Sequence, residues 1–295
     1  MGEFEYIRTD LALENSERFK KDNVEIKGVE IEKENLCQGK ITVSNVIIKT
    51  NDAATVMKKP IGTYTTIESA YFALDDEEIH EIATDIIAGK IQEMAKINKK
   101  TSFLVVGLGN RDITADALGP KVADMIFIDE DRKPQVYVVS PGVMAQSGME
   151  SAVMIKGIVE QIKPDFVIAV DALAAGNAKR LNTVIQISDT GISPGSGVGN
   201  HRNGINQGTV GVPVIAIGAP MVVNVATIVN DVLDSLLDII NTLKTFSKEE
   251  RFKLSEEIIE PIMCSMYVTT DHIDENVNRM AKTIATGINK LTVGV

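Results

Sequence analysis

A chain of 295 residues with 44% hydrophobic and 24% charged side chains has material for one large folded domain or two modest ones. Its net charge of −11 argues against a broad non-specific nucleic-acid surface, and two distant cysteines, Cys37 and Cys264, make neither a disulfide framework nor a zinc-ligand spacing. No apolar run reaches membrane-spanning length, and the start Met1-Gly2-Glu3-Phe4-Glu5-Tyr6 lacks a basic stretch followed by an apolar one, so the expectation is a protein of a reducing interior with no membrane partner.

Residues 1–22 are polar and charged without a sustained period and read as a mobile N-terminal arm. Residues from about 24 to 70 hold short alternating pieces, Val24-Glu25-Ile26, Gly28-Val29-Glu30-Ile31, Ile41-Thr42-Val43 and Thr63-Tyr64-Thr65-Thr66-Ile67, which predict a smaller antiparallel β region. Between Asp75 and Ile97 the apolar positions Ile79, Ile82, Ala83, Ile86 and Ile87 take helical spacing, and Asp75, Asp76, Glu77 and Glu78 crowd the first turn, where acids favour the helix dipole. From residue 102 strands and helices alternate. Strands are expected at 102–108, 136–140, 166–170, 183–188 and 213–217, and helices near 116–127, 149–162, 222–243, 247–259 and 272–291. That order predicts an α/β fold, a mostly parallel central sheet with helices on both faces.

Two of these strands lead to an aspartate. Phe103-Leu104-Val105-Val106-Gly107-Leu108-Gly109-Asn110 is followed by a loop and Asp116-Ala117-Leu118-Gly119-Pro120, while Phe166-Val167-Ile168-Ala169-Val170 meets Asp171 at once. Apolar runs without alternation suit strands buried on both faces, and open α/β sheets carry their sites beyond the carboxyl ends of such strands. If the two strands are neighbours, two carboxylates meet at one edge. Close carboxylates cannot both ionise cheaply, so such a pair shares a proton and is equipped to activate water. Asp116 reads equally well as a helix N-cap. Asp171, a charge at the rim of a buried run, needs a partner or a function.

Other constellations are weaker. The run Gly191-Ile192-Ser193-Pro194-Gly195-Ser196-Gly197-Val198-Gly199 is rich enough in glycine to cradle an anion but is not a phosphate-binding fingerprint, and Ser196 is not in a nucleophile-elbow pattern. His80, His201 and His272 are isolated. A metal set of Asp116, Asp171 and His201 is chemically allowed.

The blocks around Leu104–Asn110, Asp116-Ala117-Leu118-Gly119-Pro120, Pro141-Gly142-Val143-Met144, Asp171-Ala172-Leu173-Ala174-Ala175, Gln186-Ile187-Ser188-Asp189-Thr190-Gly191, Pro194–Asn200 and Gly211–Gly218, with Arg8-Thr9-Asp10-Leu11-Ala12, closely resemble the spore germination protease family, in order and over nearly the whole chain. The resemblance implies a fold similar to that of hydrogenase maturation peptidases and an atypical aspartic endopeptidase that needs no cofactor or metal. Its implied substrates are the small acid-soluble proteins that coat spore DNA, with no direct nucleic-acid contact. It further implies a homotetramer in the cytoplasm of the spore core, made as a self-processed zymogen. The family's catalytic aspartates correspond to Asp116 and Asp171. Its cleavage preference, acidic then aliphatic then small, is met at Asp10-Leu11-Ala12, so residues 1–10 are expected to be a propeptide and 11–295 a single peptidase domain. Backbone N–H groups around Gly195, Ser196 and Gly197 are the expected oxyanion or substrate loop. The chain departs from relatives at Thr114-Ala115, where they often carry Thr-Pro, and near Thr245–Ser247, where a surface insertion is absent. The competing readings are a metal-assisted peptidase using Asp116, Asp171 and His201, and a non-enzymatic protein that holds a small anion at the glycine-rich segment.

Overall fold

A computed structural model of the chain describes residues 9–21, 26–129, 134–195, 203–239 and 266–292. Among the described residues nine strands form one sheet: β1 (Val29–Leu36), β2 (Ile41–Ile48), β3 (Gly62–Glu68), β4 (Ser102–Gly107), β5 (Gln135–Val139), β6 (Phe166–Ala175), β7 (Val184–Ser188), β8 (Val214–Asn224) and β9 (Tyr267–Val268). Their order is β1-β2-β3-β7-β8-β6-β4-β5, with β9 against β8. The helices are α1 (Ala12–Lys21), α2 (Asn51–Met57), α3 (Glu77–Ala95), α4 (Leu118–Met125), α5 (Met144–Ser147), α6 (Ser151–Ile162), α7 (Gln207–Val210), α8 (Val225–Ile239) and α9 (Ile273–Asn289).

The mixed α/β class agrees with the sequence, but the mostly parallel sheet does not. Only β5-β4-β6-β8 are parallel neighbours; β1, β2, β3, β7 and β9 all pair antiparallel. The misreading has a physical source. Strand β7 is buried on both faces, and two-sided burial says nothing about direction. The connection does: β6 ends at Ala175 and β7 begins at Val184, with a 3-10 turn at Ala178–Arg180 between them, too short for the helical crossover that parallel strands need. The expected N-terminal β region is a meander, β1-β2-β3, and it extends the central sheet through β3 and β7 rather than standing apart.

Helices cover both faces. On one face Val105, Ile168, Val170, Ile185, Ile187 and Ile217 pack under α3, α4 and α9 through Ile87, Val122, Met280 and Ile284. On the other, Leu104, Val106, Val167 and Ala169 meet α6 through Ala152, Ile155 and Val159. Helix α3 starts where the acids predicted it: Asp76 caps it by accepting from the N–H of Ile79 at 3.3 Å, with Glu77 and Glu78 in the first turn. The expected helix at 247–259 lies outside the described residues. Among the described residues no helix is long and apolar enough to cross a membrane.

The arm also differs from expectation. Residues 1–8 lie outside the described residues, but Leu11, Ala12 and Leu13 are fully buried and α1 begins there. Leu13 packs with Val46, Ile48, Met57 and Tyr64, and Leu11 with Leu173 and Val184. Burying each leucine contributes about 1.5–3 kcal/mol, which holds the segment on the sheet despite its polar composition.

Candidate active site

The chain runs β4-α4-β5-α6-β6, and α4 and α6 lie on opposite faces of the sheet. Strand order β5-β4-β6-β8 therefore reverses between β4 and β6, which are hydrogen-bonded neighbours from Phe103–Phe166 to Gly107–Val170. A crevice opens at such a switch point, outside the carboxyl ends of the two strands. Asp116 follows the first strand and Asp171 belongs to the second, so the topology brings both to one edge.

Asp171 is not past the end of its strand. Strand β6 continues to Ala175 because β8 stays beside it, pairing Asp171 with Gly218 and Ala172 with Ala219. Strand β4 stops one residue earlier, at the Gly107–Val170 pair, so Asp171 is the first residue of β6 beyond that neighbour. It is 5% exposed, and its Oδ1 accepts from the N–H of Ala172 at 2.9 Å.

Asp116 closes a 3-10 turn, Thr114–Asp116, and does not cap α4; the capping position is Ala117, with no side-chain bond. Its Oδ2 accepts instead from the N–H of Asn110 at 2.7 Å. The turn packs against β6 and β8. Two glycines permit this closeness. A Cβ at residue 109, where φ is +112°, would lie 2.0 Å from the carbonyl oxygen of Asp116. One at residue 119 would lie 2.2 Å from the oxygen of Leu108 and 2.4 Å from that of Val170. Gln146 adds a tie that the sequence did not suggest, donating to Asn110 Oδ1 at 2.8 Å and Asp112 Oδ2 at 2.9 Å, and so braces the loop that carries Asp116.

Asp10 and Leu11 lie on the same sheet. Gly218 pairs with Asp171 on one side and with Gln186 on the other, so both side chains project from one face with a glycine between them. Two strand spacings set their Cα atoms about 10 Å apart. Gln186 contacts the N-terminal segment directly: its Nε2 donates to the carbonyl oxygen of Asp10 at 3.1 Å, and its Oε1 accepts from the N–H of Ala12 at 2.8 Å. Lys59 Nζ donates to the same Asp10 oxygen at 2.9 Å. Lys59 is delivered by the end of α2, where Lys58 takes φ +50° and the N–H of Lys59 bonds the carbonyl of Ala54 at 3.2 Å. Asp10 itself is bound to β6, its N–H donating to Ala174 O at 3.1 Å and its Oδ2 accepting from Ala174 N at 2.9 Å.

Behind this segment Arg180 is buried among carboxylates. It bonds Glu17 through both terminal nitrogens at 2.9 and 3.1 Å and Glu68 through Nε at 3.3 Å, with Glu14 at 3.7 Å. Burial works against the guanidinium's charge, yet the hydrogen bonds it donates to Glu17 and the charges of Glu68, Glu17 and Glu14 leave its pKa raised. Burial likewise works to raise the Glu17 pKa, but Arg180, with Lys33, holds it below the ordinary glutamate range. The polar Gln186 inside the apolar run Val184-Ile185-Gln186-Ile187 was a legible sign of a buried partner; Lys59, in a charged turn before Pro60, gave none.

Of the expected loop, Gly195 is described, while Ser196, Gly197 and His201 lie outside the described residues. Among the described residues no group of three His, Cys, Asp or Glu is placed to hold a metal ion.

A family model described as germination protease matches residues 7–244. A germination protease of Clostridium perfringens (strain 13 / Type A) is 39% identical over 307 residues, covering 96% of this chain and 94% of its own length. That of Caldanaerobacter subterraneus subsp. tengcongensis is 40% identical over 305 residues, covering 96% and 93%. That of Bacillus mycoides (strain KBAB4) is 34% identical over 342 residues, covering 96% and 92%. Among solved structures, the NiFe hydrogenase maturation protease HycI from Thermococcus kodakarensis KOD1 aligns with 68% of this chain and 99% of its own at 19% identity, with a TM-score of 0.37.

Proposed function

We propose that this chain, which belongs to the germination protease family and is therefore a peptidase of spore germination, cleaves its substrates with a water molecule activated between Asp116 and Asp171. The observation that supports this reading is the placement of both aspartates at the one point where the parallel strand order reverses. One carboxylate takes a proton from water while the other, protonated, hydrogen-bonds the scissile carbonyl or supplies the leaving amine.

The substrates in this reading are small acid-soluble spore proteins, met in the spore core by a homotetramer; these follow from the family resemblance. The chain is also its own substrate, losing residues 1–10 at the Asp10–Leu11 bond. Support for that comes from Asp10-Leu11-Ala12, which fits an acidic, aliphatic, small preference, and from its seat on the sheet face that carries Asp171.

Asp171→Asn keeps the shape of the side chain and removes its capacity to ionise. Cleavage of a spore acid-soluble protein, followed by mass spectrometry of the fragments, is expected to slow by about 100-fold to 10,000-fold. Undiminished cleavage by the variant, purified free of other proteases, would remove Asp171 from the mechanism. Loss of wild-type activity on exhaustive chelation would replace the two-aspartate reading with the metal-assisted one.

A further inference from the structure

One peptide oxygen in the described structure is held by two side-chain donors of different elements, one of them an ammonium. The carbonyl oxygen of Asp10 accepts from Lys59 Nζ at 2.9 Å and from Gln186 Nε2 at 3.1 Å. The Gln186 amide has a fixed sense, because its Oε1 accepts from the N–H of Ala12 at 2.8 Å and its amino group must then face Asp10. Both flanks of the bond are pinned. Asp10 is bonded twice to Ala174, and Leu11 is fully buried beside Leu173 and Val184.

We propose that Lys59 and Gln186 form the oxyanion site for hydrolysis of the Asp10–Leu11 peptide bond. The inference rests on the self-processing reading above and adds to it the groups that take up the developing charge. The oxygen of water adds to the carbonyl carbon of Asp10 and the π pair moves onto the carbonyl oxygen, where the ammonium and the amide N–H meet it. The C–N bond then breaks and its electron pair stays on the nitrogen of Leu11, which takes up a proton. The products are an α-carboxylate at Asp10 and an amine at Leu11; water supplies every atom gained.

A simple anchor would have needed only a neutral donor. Burial lowers the Lys59 pKa, against the pull of the Asp10 and Glu14 carboxylates, so an ammonium at this place carries a cost to the fold. A preformed charge in a partly dry site costs little reorganisation at the moment when negative charge appears, which is where such a donor has its largest effect.

The test uses the full chain, beginning at Met1, with intact mass followed over time and amide hydrogen exchange of residues 10–13 measured in parallel. Lys59→Met is expected to slow cleavage at Asp10–Leu11 by about 100-fold, and Lys59→Arg to restore most of it. Gln186→Glu keeps an acceptor for Ala12 but turns the donor into a like charge, and is expected to slow cleavage by at least about 100-fold. Slowed cleavage with exchange protection of residues 10–13 retained supports the inference. A wild-type rate in Lys59→Met, or slowing matched by loss of that protection, overturns it and leaves an anchor. Asp171→Asn, run beside these, separates the two levels. If it blocks cleavage while Lys59→Met does not, only the oxyanion site falls. If the unaltered chain cleaves an added spore protein but never cuts itself here, self-processing and this inference fall together.

Discussion

The two halves of the sheet manage buried polar groups in opposite ways. In the parallel half, β4, β6 and β8 carry no charged side chain along their shared register until Asp171, and helices from their own crossovers cover both faces. In the antiparallel half polar groups sit within the strands: Ser44, Thr65, Thr66, Gln186 and Ser188 are buried there. One face of that half is covered by the N-terminal segment and α1, which arrive with polar partners of their own, Glu14 and Glu17 toward Arg180 and two backbone groups toward Gln186. That cover is fastened by hydrogen bonds and ion pairs in addition to the packing of Leu11 and Leu13. The parallel half has no such cover.

Removing Arg180 strikes hardest at that contrast. In Arg180→Met three carboxylates, Glu14, Glu17 and Glu68, face each other without their cation. Breaking a buried ion pair on one side costs about 3–5 kcal/mol, and the partial exposure of Glu17 and Glu68 brings the expectation to about 2–3 kcal/mol. Native-state hydrogen exchange is the measurement of choice: α1 is expected to lose protection while β4 and β6 keep theirs. Equal loss in both halves would mean that the cover and the core unfold as one unit, and the contrast would dissolve.

Gly119→Ala attacks the other half. The added methyl meets backbone atoms of Leu108 and Val170, which cannot swing aside, so α4 must lift from the ends of β4 and β6. Overpacking of this kind costs about 1–3 kcal/mol, and here it also disturbs the loop that presents Asp116. Chemical denaturation and peptide-cleavage assays are both expected to show the loss. Gly157→Ala is the control: it lies on the exposed side of α6, a Cβ there meets nothing within 4 Å, and the change is expected to stabilise by about 0.5–1 kcal/mol. A stabilised Gly119→Ala would show that close approach does not position the site.

These same positions explain what the sequence made legible. The apolar runs Leu104–Val106 and Phe166–Val170 announce strands buried on both faces, and an aspartate at the edge of each marks the rim. The glycines at 107 and 109 were readable as points of close backbone approach, and Gly119 completes the set. Strand direction was not readable in Val184–Ser188, because burial pattern carries no polarity and only the short link from Ala175 decides it. The docking of Leu11–Leu13 was hidden for another reason. Three apolar residues among charges give no period, and their partners, apolar Val46, Tyr64 and Leu173 as well as polar Gln186, Arg180 and Lys59, lie far away in sequence. Periodicity reports a repeated apolar face, so a segment with one short apolar run among many polar ties reads as a loose arm.

The mildest probe is acid. Glu17 has its pKa depressed by Arg180 and Lys33 in the fold, so its contribution to stability is complete above the unfolded glutamate value of about 4.3 and disappears as pH falls through the lower folded value. The carboxyl of Asp124 is also held below its ordinary range, by the hydrogen bond from Arg111 and its charge, but that pair lies on the surface of the parallel half and is screened by solvent. Lowering pH from 6 toward 3 is therefore expected to raise amide exchange in α1 before it does so in α4, and Arg111→Ala is expected to leave that order untouched. If α4 loosens first, the ion pairs under α1 add little to the hold that Leu11 and Leu13 already provide by packing on the sheet.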